Sequence, residues 1–591
     1  MIHLHHIKSI FILLVLFFLS SNIAAQKIDK IEIKGNYDFS ASDYSYWLQP
    51  KSIKYNDTTI DTIKHRIATG LMRNGYYNFQ FKETTHELSP DSQSVNYSIT
   101  IDEGEPTYIN NIKISNLDSL DLKLAKEKFE NMKGESFIID ELEASFSELL
   151  DHFENSGFPL ASINIESTFF FYDSTSNENL VDLYINFSKN QISTIDSIVI
   201  VGNNKTKDYV IKRALRFRPG EPYSQEKIDK IPTKLNRLHF FEPVETPNYF
   251  FDSKNKGILQ VNVKEKGTNS FDGLIGYVPP ADDNETGYIT GLVNVSLRNM
   301  FGTGRAIAFK WNKLDRYSQV LELRYLEPWV LGLPINIDLL LFQRQQDSTY
   351  VQRLLNGGFE FLATESISAS LIFSQDYTIP TDPETRGFTV YNSSIFTSGG
   401  NIKIDTRDDL LVPTSGIFFL NSYKYRSKKI NGPAEYIPDT MNTSPNQYSV
   451  ELDFVVHYKL FNRHVPTIGF HAREMWGDNI EISDMYRFGG TNSLRGYRED
   501  QFAGNRVLWT NIEYRYLLGR RSYAFIFTDV AYYLRNALPQ LGLDEISAWK
   551  VGYGLGITFE TALGLLGVSY ALGEGDSFSK GKIHFGLIGE F

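Results

Sequence analysis

The 591-residue chain contains no cysteine, which excludes disulfides, thiolate metal sites, a cysteine nucleophile and a lipid anchor on an N-terminal cysteine. Stability has to come from packing and hydrogen bonds. Positive charge is in deficit: 59 Lys and Arg against 71 Asp and Glu leave a formal net charge of -12. Nucleic-acid surfaces need clustered cations to displace counterions from phosphates, so no nucleic-acid partner is expected. The 11 histidines are scattered, and no P-loop, HExxH helix or GxSxG elbow occurs, so neither an enzyme nor a metal or cofactor site is expected. Beyond the first residues there is no long uncharged apolar run, which excludes a later membrane-spanning helix.

What is present starts with an export signal. His3, His5, His6 and Lys8 lead into the apolar run Ile10 to Leu19, and Ala24-Ala25 precede Gln26, so residues 1–25 read as a cleaved leader. The alternative, a membrane anchor, needs about 20 apolar residues, roughly twice this run. An exported chain without a later apolar helix enters a bilayer only as a closed barrel, which leaves no backbone group unpaired. Aromatics make up 14% of the chain, yet mean hydropathy is only -0.27, a pairing that suits strands placing alternate residues in lipid. The length predicts several domains.

Residues 27 to 267 alternate short β-like runs with helical ones, in an order that repeats about every 80 residues. The first unit reads as strand Ile28 to Lys34, turn Gly35-Asn36, helix Ile60 to Asn74, and strands Phe79 to Thr85 and Val95 to Ile101. Ile60, Ile63, Ile67 and Leu71 give that helix one apolar face, and Gly75 caps it. The second unit runs through Ile109 to Ser115, Leu120 to Asn131, Ile138 to Asn155, Phe158 to Phe171 and Leu180 to Phe187. The third reads Ile195 to Val201, turn Gly202-Asn203, helices Lys207 to Leu215 and Ser224 to Leu238, then strands Phe240 to Thr246 and Gly257 to Val263.

From Asn269 onward helical periodicity gives way to alternation. Val551, Tyr553, Leu555, Ile557 and Phe559 alternate with Gly552, Gly554, Gly556, Thr558 and Glu560, and Val450 to Lys459 repeat the rhythm with charged residues on one face. A soluble sandwich alternates too, but an exported chain with so many aromatic strands reads as lipid outside and water inside. About 320 residues at roughly 20 per strand and turn give about sixteen strands. Segments 279 to 287 and 427 to 447 read as polar extracellular loops, and the last strand, from Ile583, ends the chain on Phe591.

The strand-helix-helix-strand-strand order, with Gly75-Tyr76 and Gly157-Phe158 closing second helices, resembles the POTRA domain; Leu238-His239-Phe240-Phe241 departs by lacking the glycine. On this pattern alone a generic α+β module stays open. Three further segments resemble the Omp85 superfamily. Leu297 to Arg305 (LRNMFGTGR) is similar to its early-barrel turn, and Asp405 to Asp409 with Pro413 to Gly416 to its mid-barrel turn. Phe488 to Tyr497 (FGGTNSLRGY) resembles the loop that folds back into the barrel, with Leu494 where valine is commoner. The resemblance carries a lumen lock onto Arg495, with Glu513 and Asp529 on two downstream strands as its carboxylate partners, while Gly496 and Tyr497 take structural roles.

The resemblance implies an α+β series of periplasmic POTRA repeats followed by a transmembrane antiparallel β-barrel in the outer membrane of a Gram-negative-type bacterium. The expected divisions are 1–25 leader, 27–104, 106–189 and 191–267 POTRA-like, and 268–591 barrel. It implies a factor that inserts or translocates client proteins, and three units point to the translocation-and-assembly subgroup. The seam is expected between Phe271, Gly273, Ile275 and Tyr277 of the first strand and Ile583, Phe585, Gly586, Leu587, Gly589 and Phe591 of the last. Expected partners are unfolded outer-membrane or secreted clients, outer-membrane lipid and an inner-membrane-anchored partner spanning the periplasm. A two-partner secretion transporter for one dedicated protein, or a passive porin or surface receptor, are the competing readings.

Overall fold

The computed structural model describes residues 27–588 apart from 54, 89–93, 280–285, 314, 348, 382–387 and 562–563. The expected leader, most of the expected loop 279–287, and Gly589 and Phe591 of the expected seam lie outside the described residues. Among those described, no helix is long and apolar enough to cross a membrane. The chain forms two compact units, one running to Asp196 with Gly220–Lys227, the other made of Ser197–Pro219 and Ile228–Phe591.

The first unit holds two three-stranded sheets of one design. In each, the last strand in sequence lies centrally, parallel to the first and antiparallel to the second. One sheet combines Lys27–Lys34, Gln80–Leu88 and Ser94–Asp102; the other combines Thr107–Ser115, Ser162–Asp173 and Glu178–Ser188. Helices Thr59–Arg73 and Ile139–Asn155 lie on them, burying Ile63, Ile67 and Leu71 in one case and Leu142, Leu149 and Phe153 in the other. Gly75 (φ 88°) and Gly157 (φ 102°) end these helices in the left-handed region, as the Gly-aromatic pairs predict. The helix Ala41–Leu48 has no counterpart in the first-unit reading given above; Ser40 and Asp43 start it with a capping box.

The second unit opens with a third sheet of the same order, Ser197–Val201, Gly257–Asn262 and Asn248–Phe251. Two expectations fail here for one reason, proline. The helix expected over Ser224 to Leu238 is split into Gln225–Asp229 and Ile231–Asn236, with Pro232 in the first turn of the second piece. The strand expected at Phe240 to Thr246 is a single bridge from Phe241 to Glu265; Pro243 and Pro247 supply no N–H, and the ladder starts only at Asn248. Phe240, Phe241 and Val244 are core residues instead. His239 takes the left-handed place of the missing glycine, at φ 57°.

The Gly-Asn turns of the first and third sheets are each closed by a glutamate. Glu103 accepts from the amides of Tyr37 and Asp38 (2.8 and 2.7 Å) and from the Tyr44 hydroxyl (2.6 Å). Glu265 accepts from the amides of Asn204, Lys205 and Thr206 at 2.6–3.1 Å. A Cβ on Gly35 or Gly202 would stand 2.3 Å from the Ile101 carbonyl oxygen or 1.9 Å from that of Val263, at the end of the central strand in each case, so both turns require glycine. In the second sheet the signs are exchanged: Asn116 (φ 65°) makes the turn, and Lys189 pairs with Asp118 at 3.2 Å and with Asp121.

The rest of the second unit is one antiparallel sheet of sixteen strands in sequence order, from Asn269–Val278 to Lys582–Ile588. On Ile546–Thr561 the side chains of Val551, Tyr553, Leu555 and Ile557 point out, while Gly552 and Thr558 are buried within. The expected loop 427–447 is shorter, because strand Gly416–Gly432 carries the charged run Lys424 to Lys429 into the barrel. Lys428 is fully buried there and neutralised by Glu481 and Asp484 at 2.5 and 2.6 Å. The two end strands are not joined: among the described residues no ladder links Asn269–Val278 to Lys582–Ile588.

The amides around Glu265 generate a prediction. Burial opposes its charge, but the Thr206 hydroxyl and the three amides hold its carboxyl below its ordinary value of 4.5. A lowered folded-state value stabilises above the unfolded value and is lost as pH falls through it. Glu265→Gln is expected to weaken the turn by about 1–2 kcal/mol, read as faster amide exchange at 203–206 in the full-length protein. The difference from the unsubstituted protein is expected to shrink as pH drops below 4.5.

Candidate functional site

A loop between strands His464–Gly477 and Arg506–Gly519 folds into the barrel. Its stem is a short hairpin, Tyr486–Phe488 with Phe502–Gly504, packed against Tyr533. Gly489 and Gly490 both lie in the left-handed region (φ 114° and 91°), and a Cβ on Gly490 would run into Glu499. Glu499 accepts from the Thr491 amide at 3.0 Å, and Gly490 donates to the Leu494 carbonyl at 3.0 Å. The tip is therefore wound tightly enough to bury Leu494 completely and drive Arg495 into the wall.

Arg495 is 6% exposed and uses both edges of its guanidinium. Nε and one terminal nitrogen donate to the two oxygens of Asp529 (2.8 and 2.7 Å), and the other terminal nitrogen donates to Glu513 (2.6 Å). Its own amide adds a bond to Asp529 at 3.0 Å, and its plane lies 3.6 Å from the ring centre of Phe527. Asp529 also accepts from Asn511 at 2.7 Å, and Glu513 from Arg515 at 2.7 Å. Two buried carboxylates and two guanidiniums thus balance, with the lone pairs occupied, the condition under which a buried ion pair is tolerated. The structure brings Arg495, Glu513 and Asp529 together.

The neighbours fix the loop against the end of the sheet. A Cβ on Gly496 (φ 92°) would stand 2.6 Å from the backbone of Leu572, and one on Gly552 would stand 1.8 Å from the Arg495 carbonyl. The Tyr497 hydroxyl donates to the Val551 carbonyl at 3.1 Å and accepts from the Glu574 amide at 3.0 Å. One residue absent from the sequence reading completes the set: His584 of the last strand accepts from the Gly496 amide through Nε2 at 3.1 Å. No loop motif points to it; its even-numbered position on the inward phase of an alternating strand is the only signal. The loop thus touches the end strand directly.

The described seam residues fall on the two end strands, each laddered on one side only. Phe271, Leu274, Ile275 and Tyr277 of the first are all 66–73% exposed, although Leu274 faces opposite to the others. Ile583 and Phe585 of the last are 61% and 67% exposed. Gly273 and Gly276 lie on the first strand; Gly586 faces the Thr491 methyl of the loop, and Leu587 ladders with Leu566.

The other two motifs sit at the opposite end of the loop's barrel, under the third sheet. Asn299 bonds the Thr206 hydroxyl at 2.8 Å, the Lys207 amide donates to the Gly302 carbonyl at 2.9 Å, and a Cβ on Gly302 would stand 1.8 Å from the Lys205 carbonyl. Asp405 holds Arg407 in a two-toothed pair (2.9 and 2.8 Å), while its carbonyl accepts from Arg237 at 3.2 Å. Both turns are sockets for the domain that precedes the barrel.

Removing Arg495 leaves Asp529 without a cation and Glu513 with Arg515 alone. Arg495→Ala is expected to cost about 3–5 kcal/mol, seen as loss of the compact, heat-modifiable form on gels at a lower temperature. Adding Asp529→Asn to it is expected to return part of the loss. His584→Ala is expected to leave that transition nearly unchanged while increasing amide exchange at Gly496.

Comparison with known proteins agrees with this architecture. The Omp85 superfamily domain model matches residues 299–591, and the surface antigen variable number repeat model, POTRA, matches 26–104 and 193–266. The outer membrane protein assembly factor BamA of Neisseria meningitidis serogroup B is 24% identical over 301 residues, 48% of this chain and 36% of that protein. BamA of Nitratidesulfovibrio vulgaris is 21% identical over 424 residues, 66% of this chain and 50% of that protein. The chain therefore spans between about a third and a half of the length of these curated relatives. Among solved structures, BamA from Haemophilus ducreyi lacking POTRA domains 1–3 matches at TM-score 0.45 and 15% identity, covering 81% of this chain and 98% of that one. CdiB from Escherichia coli matches at TM-score 0.47 and 12% identity, covering 93% and 98%. With POTRA matches over the first and third of its three small sheets, ahead of a sixteen-stranded outer-membrane barrel, the chain belongs to the Omp85 superfamily.

Proposed function

We propose that this protein assembles client proteins into or across the outer membrane by offering them an open strand edge. The observation that carries the reading is that, among the described residues, the end strands Asn269–Val278 and Lys582–Ile588 each ladder on one side only and not with each other. Each presents backbone donors and acceptors to hydrocarbon, where only another strand can satisfy them. An incoming client strand pairs by β-augmentation, and successive client hairpins follow at the same edge. Gly586 lightens the packing on the last strand, and the loop locked by Arg495, Glu513 and Asp529 holds that strand from inside through His584.

The three sheets, which we divide at 27–104, 106–189 and 191–267, receive unfolded clients in the periplasm, and the chemistry requires neither cofactor nor enzyme activity. Three units favour a role like that of the translocation-and-assembly subgroup, working with an inner-membrane-anchored partner. The test is made in proteoliposomes. Purified protein is mixed with an unfolded outer-membrane barrel, and client folding is scored by heat-modifiable mobility. Folding at least tenfold faster than in empty liposomes, lost in Arg495→Ala, is the expected result. No effect on several unrelated clients would move the assignment to a transporter dedicated to one secreted protein.

A further inference from the structure

Two of the short turns under the third sheet carry bulky apolar side chains in a backbone region that such residues rarely occupy. In the turn between strands Gln319–Glu327 and Ile335–Gln346, Trp329 and Leu331 have φ of 52° and 53°, and Leu331 is 94% exposed. In the adjacent turn, Phe301 has φ 55° and is 81% exposed. The two turns touch, since the Cβ direction of Gly304 meets Pro328 and Val210 at 3.4 and 3.6 Å. Strain of this kind, holding apolar groups in the open, calls for a compensating contact.

The exposed groups continue the lipid-facing surface. Along the strand that follows, Leu339 and Leu341 point outward and are 45% and 44% exposed, while Asp338 points inward to Arg324. Before that strand, in the turn that leads into it, Leu333 (53% exposed) and Leu331 are exposed as well. Exposed apolar side chains thus continue past the end of the ladder, into the turns at the barrel's rim.

Cations stand beside it. The helix Asp208–Leu215 directs Arg213 onto the rings of Tyr209 (4.6 Å) and Trp329 (5.7 Å), and its terminal nitrogen is 3.6 Å from the Cβ direction of Gly332. Among the described residues no carboxylate is within ion-pair distance of Arg213. Arg216 lies 5.7 Å from the Trp329 ring and donates to the carbonyls of Leu362 and Ala363, fixing the helix end to the next turn. A guanidinium held over aromatic rings, with no carboxylate partner, has N–H groups left for a phosphate.

From this we infer a phospholipid site on the periplasmic rim: Arg213 takes the headgroup phosphate of an anionic phospholipid, and Leu331, Leu333 and Phe301 enter its acyl region. Trp329 sits between them at the interface, where indoles are favoured. The site ties the third sheet to the inner leaflet as well as to the barrel, and it is independent of what the seam does.

The experiment uses the full-length protein in detergent, with retained phosphatidylglycerol measured by native mass spectrometry against diacylglycerol and inorganic phosphate. Arg213→Gln is expected to weaken phosphatidylglycerol retention about fivefold, the effect of one basic residue near a headgroup. Lys212→Gln, whose partner is Asp208, is expected to leave it unchanged. Leu331→Ser, checked for an intact heat-modifiable barrel, is expected to reduce it further, and inorganic phosphate is expected not to compete. Retention unaffected by Arg213→Gln, or equal retention of diacylglycerol, would overturn the assignment. So would an outer-membrane protein whose binding is lost in Leu331→Ser while lipid retention is kept, which would make the patch a protein interface.

Discussion

In hydrocarbon a backbone N–H or C=O without a partner has no water to fall back on, and each such group costs several kcal/mol. Among the described residues, fourteen of the sixteen strands meet this constraint on both sides, and the sheet order shows where it is left open, at the first and last. Everything else in the second unit is arranged around that exception. The lumen loop reaches from the middle of the wall to the end strand, so the part of the sheet with the fewest ladder bonds has the most support from inside.

That support is electrostatic, and its composition explains its geometry. A single guanidinium is planar and forked, so Arg495 can hold carboxylates from two neighbouring strands in one plane; a lysine could not. Arg515 and Asn511 complete the coordination of Glu513 and Asp529, which makes the cluster a closed account of charge rather than one salt bridge. The glycines at 496, 552 and 573 matter because the loop backbone lies against the wall backbone with no room for a Cβ. Near the other mouth, Lys428 with Glu481 and Asp484 repeats the principle and fastens the same loop at its root.

The sequence shows some of this plainly and some not at all. Alternation and the loop motif lead to a barrel of about this strand number and to Arg495, because the lumen demands polar residues at period two and a glycine-rich tip to turn in a narrow space. The repeat order is legible in the helices, whose apolar faces at Ile63, Ile67 and Leu71 are local features. What is not legible depends on distant partners. The charged run at Lys424 to Lys429 looks like a loop until Glu481 and Asp484 are seen beside it. The Phe240 to Thr246 segment looks like a strand because its aromatics are apolar, while its prolines decide otherwise. His584 carries no motif, and the role of Glu103 and Glu265 appears only when two and three amides of a turn, respectively, are seen to converge on each carboxylate.

The central claim is that the two end strands must be free of each other for the protein to work. The chain has no cysteine, so one cysteine in Asn269–Val278 and one in Lys582–Ile588, tried at several registers, would give the only disulfide present. Client folding in proteoliposomes is measured with the pair oxidised and again after reduction. The account predicts that oxidation abolishes acceleration and that reduction restores it; undiminished acceleration with the seam locked would contradict it.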